Sequence, residues 1–134
     1  MLRGERGVAA IELAFGIAVL LLPVIVLVGT LPVWVDHREA AVAAAREAAV
    51  VAARDFPDQD PTAADRSARR VLADHGVPAT SASIDVRPAA ERGDTVDATV
   101  RVEVPALHVP LIGSFGAWTV TVVASRRVED HRSR

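Results

Sequence analysis

A carboxylate stands at the lip of a long apolar run: Glu12 follows Val8, Ala9, Ala10 and Ile11 and precedes Leu13, the first of 23 consecutive residues without a charge. An ionised side chain at the centre of a membrane helix costs roughly 2.5–3.5 kcal/mol, less near the interface, and such groups usually have a partner. Taken alone, Glu12 fits either an interfacial residue reaching up to water or a paired functional group. The other groups with chemical potential are weaker. Three Asp-His dipeptides, Asp36-His37, Asp74-His75 and Asp130-His131, put a carboxylate beside an imidazole, but adjacent side chains on a helix or strand diverge. They read as helix flanks and tail rather than acid–base pairs. Asp55, Asp58, Asp60 and Asp65 lack the glycine and terminal glutamate of a calcium loop and read as a solvated helix cap. No nucleotide loop, nucleophile elbow or zinc spacing is present.

The element that must position Glu12 is the run Leu13–Val35 itself. At 1.5 Å per residue it spans about 34 Å as a helix, enough for a hydrocarbon core of about 30 Å. Pro23 and Pro32 each remove a backbone donor, and Gly16 and Gly29 add flexibility, so a bent membrane helix is expected. Arg3, Arg6 and the initiating amine against Glu5 favour the N-terminus inside.

Gly7 lies five positions before Glu12, behind a short Arg-containing leader, in the order Arg6, Gly7, Val8, Ala9, Ala10, Ile11, Glu12. This arrangement resembles a prepilin of the type IV pilin superfamily. Within it the chain is most similar to the TadE-like minor pilins, or pseudopilins, of the tight-adherence (Tad/Flp) pilus and secretion machinery. Three stretches carry the likeness: "RGERGVAAIELAFGIAVLLL" (3–22), "AAVAAAREAAVVAARDF" (40–56) and "WTVTVVASRRVED" (118–130). The departures are Leu13, where Tyr or Phe is common, and the branched Val8 at the new N-terminus. The resemblance implies that a prepilin peptidase cuts after Gly7 on the cytoplasmic side, leaving Glu12 as the fifth residue. The freed amine of Val8 then meets the Glu12 carboxylate of an adjacent subunit, which offsets part of the desolvation of both.

Beyond the membrane run, Asp36–Phe56 is rich in Ala, Arg and Glu and predicts continued helix. Ala41, Ala45, Ala48, Ala49, Ala52 and Phe56 share one face, suited either to the domain's own sheet or to another subunit. A second helix is expected over Pro61–Asp74, capped by Asp60 or Thr62 and ended by His75, Gly76 and Pro78. The period then changes to two. Ala82, Ile84 and Val86, then Val96 through Val104, then Trp118, Val120, Val122 and Ala124 mark three half-buried strands of an antiparallel sheet. Pro105–Gly116 is expected as a connection; its Leu107, Val109, Leu111, Ile112 and Phe115 either fold over the sheet or present a partner surface.

Composition sets the outer limits. The 134 residues are 51% apolar yet 4% aromatic, carry a formal charge of -2 and contain no cysteine. Nothing in that balance calls for nucleic acid, and disulfides and thiolate sites are excluded. The expected organisation is a prepilin-type leader over 1–7, a membrane helix over 8–35 and an extracytoplasmic α+β domain over 36–134. The expected role is a processed minor pilin or assembly factor of a Tad-type system. It is single-pass, in the cytoplasmic membrane with its domain outside, with the prepilin peptidase and other pilins or Tad assembly proteins as partners. Enzymatic activity, a cofactor and a small-molecule substrate are not expected. The competing readings are an uncleaved, signal-anchored extracytoplasmic binding module and, with less support, a secreted enzyme freed near Ala43.

Overall fold

The computed structural model describes residues 3–109 and 111–129, with side chains from Gly7 onward. Helix α1 (Arg3–Arg54) is followed by α2 (Pro61–Asp74), a short 3-10 turn (Ala79–Ser81), and strands β1 (Ala82–Arg87), β2 (Thr95–Val109) and β3 (Gly113–Arg127). The strands form an antiparallel sheet in the order β1-β2-β3, so the layout is α+β, with a long N-terminal apolar helix ahead of a second short helix and the sheet. At 1.5 Å per residue α1 is about 78 Å long, and it continues through both Pro23 and Pro32.

Two halves of α1 have different fates. From Ala40 to Ala52 its alanines Ala40, Ala41, Ala44, Ala45, Ala48, Ala49 and Ala52 are buried, packed with α2 and with the inner face of β2, whose Val96, Ala98, Val100, Val102 and Val104 are fully buried. Small side chains on the helix let its backbone approach the sheet, and branched valines on the strand fill the space between them. The alanine face is therefore used inside the subunit. By contrast Val8, Ile11, Leu13, Phe15, Leu20 and Leu22 are all more than half exposed, and the most apolar window of the helix has mean hydropathy 2.8 with none of it buried. This is the one helix among the described residues long and apolar enough to span a membrane.

Helix α2 is closed at both ends by local chemistry. Asp60 accepts the Thr62 N–H at 2.8 Å and Pro61 occupies the first helical position, where a missing donor costs nothing. At the other end Gly76, at φ +73°, donates to Ala73 O while Val77 donates to Leu72 O, and the side chains of Val77 and Leu72 are both buried. That pairing of crossed bonds with an apolar contact is a Schellman stop. Between them Ala64, Ala68 and Leu72 form the buried stripe, and Ser67 donates to Glu47 Oε1 at 2.9 Å to tie α2 to α1.

The cap makes α2 acid-sensitive. The Thr62 N–H, first among several donors, holds the Asp60 carboxyl below the usual carboxylate range. A carboxylate lowered in the folded state stabilises above its unfolded value, and that contribution disappears as the pH falls through the lowered value. Asp60→Asn keeps an acceptor oxygen without the charge. The variant is expected to lose less stability than the parent between neutral pH and pH ~3, read by circular dichroism melts at the two pH values.

The sheet extends past the expected strands. Of the residues 105–116 expected as a connection, 105–109 and 113–116 instead prolong β2 and β3 into a hairpin, with Pro105 opposite Ala117, Leu107 opposite Phe115 and Val109 opposite Gly113. Pro105 is tolerated because β1 pairs with β2 only as far as Val102, leaving β2 with one neighbour beyond that point. Gly116 sits at φ +68° facing Ala106, whose Cβ would lie 3.1 Å from any Cβ placed there. The positive φ therefore favours glycine at that position, and the close approach of Ala106 leaves a larger side chain little room.

Candidate functional site

Gly7, Val8 and Glu12 lie on one exposed stretch of α1. A Cβ added at Gly7 would meet nothing within 4 Å, Val8 is 57% exposed, and Glu12 is exposed with no hydrogen-bond or ion-pair partner among the described residues. A helix beginning at Val8 would carry its amine one turn, about 6 Å, from the Glu12 level. A carboxylate so near the positive end of the helix dipole is favourably placed. The stretch thus offers an accessible backbone at Gly7 and an unpartnered acceptor at Glu12.

A second constellation, which no motif in the sequence announces, joins the apolar helix to the hairpin. Thr30 is 1% exposed, the one buried polar side chain among the described residues. Its hydroxyl donates to Val26 O at 2.6 Å, has His108 O as a second acceptor at 3.2 Å, and accepts the His108 N–H at 3.1 Å. One turn on, Trp34 Nε1 donates to Pro105 O at 2.9 Å, and its ring meets that of Trp118 at 5.4 Å between centroids. The domain's contacts with α1 therefore reach back into the segment expected to be purely membrane helix. A polar threonine beside Gly29 in an otherwise apolar run was the available signal, since such groups usually face protein.

The five apolar residues of the expected partner surface are split by this seam. Leu107 lines a crevice of about 330 Å³ with Pro23, Val26, Leu27, Thr30 and Trp34. Leu111, Ile112 and Phe115 remain exposed at 108%, 72% and 51%, while Val109 at the end of β2 is half-buried. The segment does not fold over the sheet; it extends β2 and β3, with Leu107 against α1 and Leu111, Ile112 and Phe115 exposed.

No family model, curated protein or solved structure matches this chain. Its chemistry is therefore judged on its own groups. His37 and His75 each place Nδ1 2.8 Å from the carbonyl one turn earlier, Val33 O and Val71 O, so neither imidazole is held by the aspartate beside it. Asp130 and His131 lie outside the described residues. Asp65 pairs with Arg69 at 2.8 Å and Asp60 is spent on the helix cap. No group of three metal-ligating side chains occurs among the described residues. At the far end of the sheet a cavity of about 390 Å³ is lined by Arg54, Arg92, Arg126 and Arg127 together with Phe56 and Glu129. Arg92 lies over the Phe56 ring at 5.4 Å and Arg127 Nε donates to Gly93 O at 2.8 Å, so two of the four arginines already hold the loop before β2.

Proposed function

We propose that the chain is a TadE-like minor pilin or pseudopilin, a subunit or assembly factor of a Tad-type pilus or secretion apparatus that acts without catalysis of its own. The observation that carries this reading is the order Gly7, Val8 and Glu12 behind an Arg-containing leader, on a helix that runs unbroken into an α+β domain. In this reading the apolar half of α1 lies in the cytoplasmic membrane with the leader inside and the sheet outside. The prepilin peptidase removes residues 1–7, and Glu12 pairs with the Val8 amine of a neighbouring pilin. The charge balance supports such an assembly role better than a polyanion partner.

N-terminal sequencing of the membrane form from cells with an active prepilin peptidase tests the reading. The expected first residue is Val8. An intact Met1 would favour the uncleaved, signal-anchored binding module; a start near Ala44 would indicate signal-peptidase release. Either result would overturn the pilin reading.

A further inference from the structure

The tip of the β2–β3 hairpin is apolar, exposed and fixed in height against the membrane helix. No Asp, Glu, Lys or Arg occurs between Glu103 and Arg126, and the titratable His108 places Nδ1 3.1 Å from Ser114 Oγ. Soluble surfaces seldom gather Leu111, Ile112 and Phe115 at one point without a partner. The two bonds of the seam also state a direction: Pro105 is tied to Trp34 and His108 to Thr30, so β2 descends toward the N-terminus of α1. Four helical residues correspond to about 6 Å and three strand residues to about 10 Å. On that slope the tip, three to four residues beyond His108, reaches about the level of Val26.

The backbone fixes how deep that level can be. Beyond Val102 one edge of β2 is unpaired, as is the outer edge of β3, and Leu111 turns at φ +69°. Such open backbone groups do not occur facing lipid within the hydrocarbon. The tip therefore cannot lie below the outer hydrocarbon boundary, although its side chains can. Counting back the ~20 residues that a 30 Å core requires from Val26 ends at Gly7. The apolar helix below the level of the tip is thus about the length of one bilayer crossing.

We infer that the hairpin tip, with Leu111, Ile112 and Phe115, is a second membrane-contact element that rests in the outer headgroup–acyl boundary and, through Thr30 and Trp34, sets the crossing of α1 at about residues 7–26. The inference rests on α1 spanning a bilayer. Lipid is the occupant that the geometry favours, because the tip is continuous with the exposed apolar surface of α1 on the same chain. Trp34 and Trp118 lie just above it, where amphipathic rings sit at a membrane interface. Leu111 and Ile112 bury their side chains among acyl chains while the turn stays with the headgroups, as apolar side chains of interfacial segments do.

Because the chain has no cysteine, single labels test this directly. Full-length Ile112→Cys, Leu20→Cys and Glu91→Cys, each carrying an environment-sensitive fluorophore, are placed in phosphatidylethanolamine–phosphatidylglycerol vesicles with lipids spin-labelled either near the headgroup or at mid-chain. The Ile112 label is expected to be quenched at least threefold more by the shallow label than by the deep one. Leu20 should show the reverse preference, and Glu91, in the loop beyond β1, should be quenched by neither. An unquenched Ile112 with a quenched Leu20 overturns the tip contact and leaves the spanning helix standing; loss of quenching at both positions overturns both. An Ile112 label that prefers the deep quencher overturns the depth, and one that is shielded from lipid but cross-links to a second copy assigns the tip to a subunit contact instead.

Discussion

Glu12→Val is expected to leave insertion and cleavage intact while co-purification of the processed protein with other pilins falls more than a hundredfold, at matched membrane levels. The two readings of this carboxylate assign it opposite signs. If Glu12 merely tolerates the interface, its removal lowers an insertion cost and the variant performs at least as well as the parent. If it meets the Val8 amine of a neighbour, the variant leaves that cation desolvated and unpaired, a loss of about 3 kcal/mol or more for a buried pair. Glu12→Asp, which keeps the charge on a shorter arm, should recover part of the association. Recovery of Glu12→Val at the parental level would rule out the pairing even with cleavage after Gly7 established.

The largest loss of stability is expected from Leu72→Ala. Leu72 is fully buried, lies on the α2 stripe facing α1 and meets Val77 in the helix stop, so truncation opens a cavity where two helices and the turn converge. Leucine-to-alanine changes in such places cost about 3 kcal/mol, which for a domain of this size lowers the melting temperature by roughly 15 °C. The fluorescence of Trp34 and Trp118, which pack together across the seam, reports the transition in detergent. Leu111→Ala provides the contrast: the side chain is fully exposed, and its loss should change the melt by less than ~0.5 kcal/mol.

Local chemistry explains which elements were legible. Helix α2 has the bounds expected of it, Pro61 to Asp74, because Asp60, Pro61 and Gly76 each act within a few residues of themselves. The alternation of Val96 through Val104 likewise declared a half-buried strand, and those residues are the buried face of β2. The alanine face of α1 was readable as a packing surface but not as to its partner, since small residues suit a sheet and a second helix equally; the observed burial assigns it to the subunit's own core. The hairpin is not legible in the sequence because Pro105, Gly113 and Gly116 are turn signals locally, whereas a strand with one free side accommodates them. The seam at Thr30 depends on a partner 78 positions away, a distance over which no periodicity speaks. As for the candidate site, the Gly7–Glu12 spacing is a sequence feature throughout, and its proposed partner lies on another molecule.

The bond between Thr30 and His108 also settles an azimuth. Eighteen residues separate Glu12 from Thr30, and at 3.6 residues per turn that is five whole turns. On an ideal helix the carboxylate therefore points to the same side as Thr30, about 27 Å below that threonine. A neighbour that brings its amine to Glu12 must then come in under the overhang of the sheet rather than along the bare flank of α1. The domain would act as an eave over the docking position, admitting partners whose own bulk sits at a different height and turning away those arriving level with it.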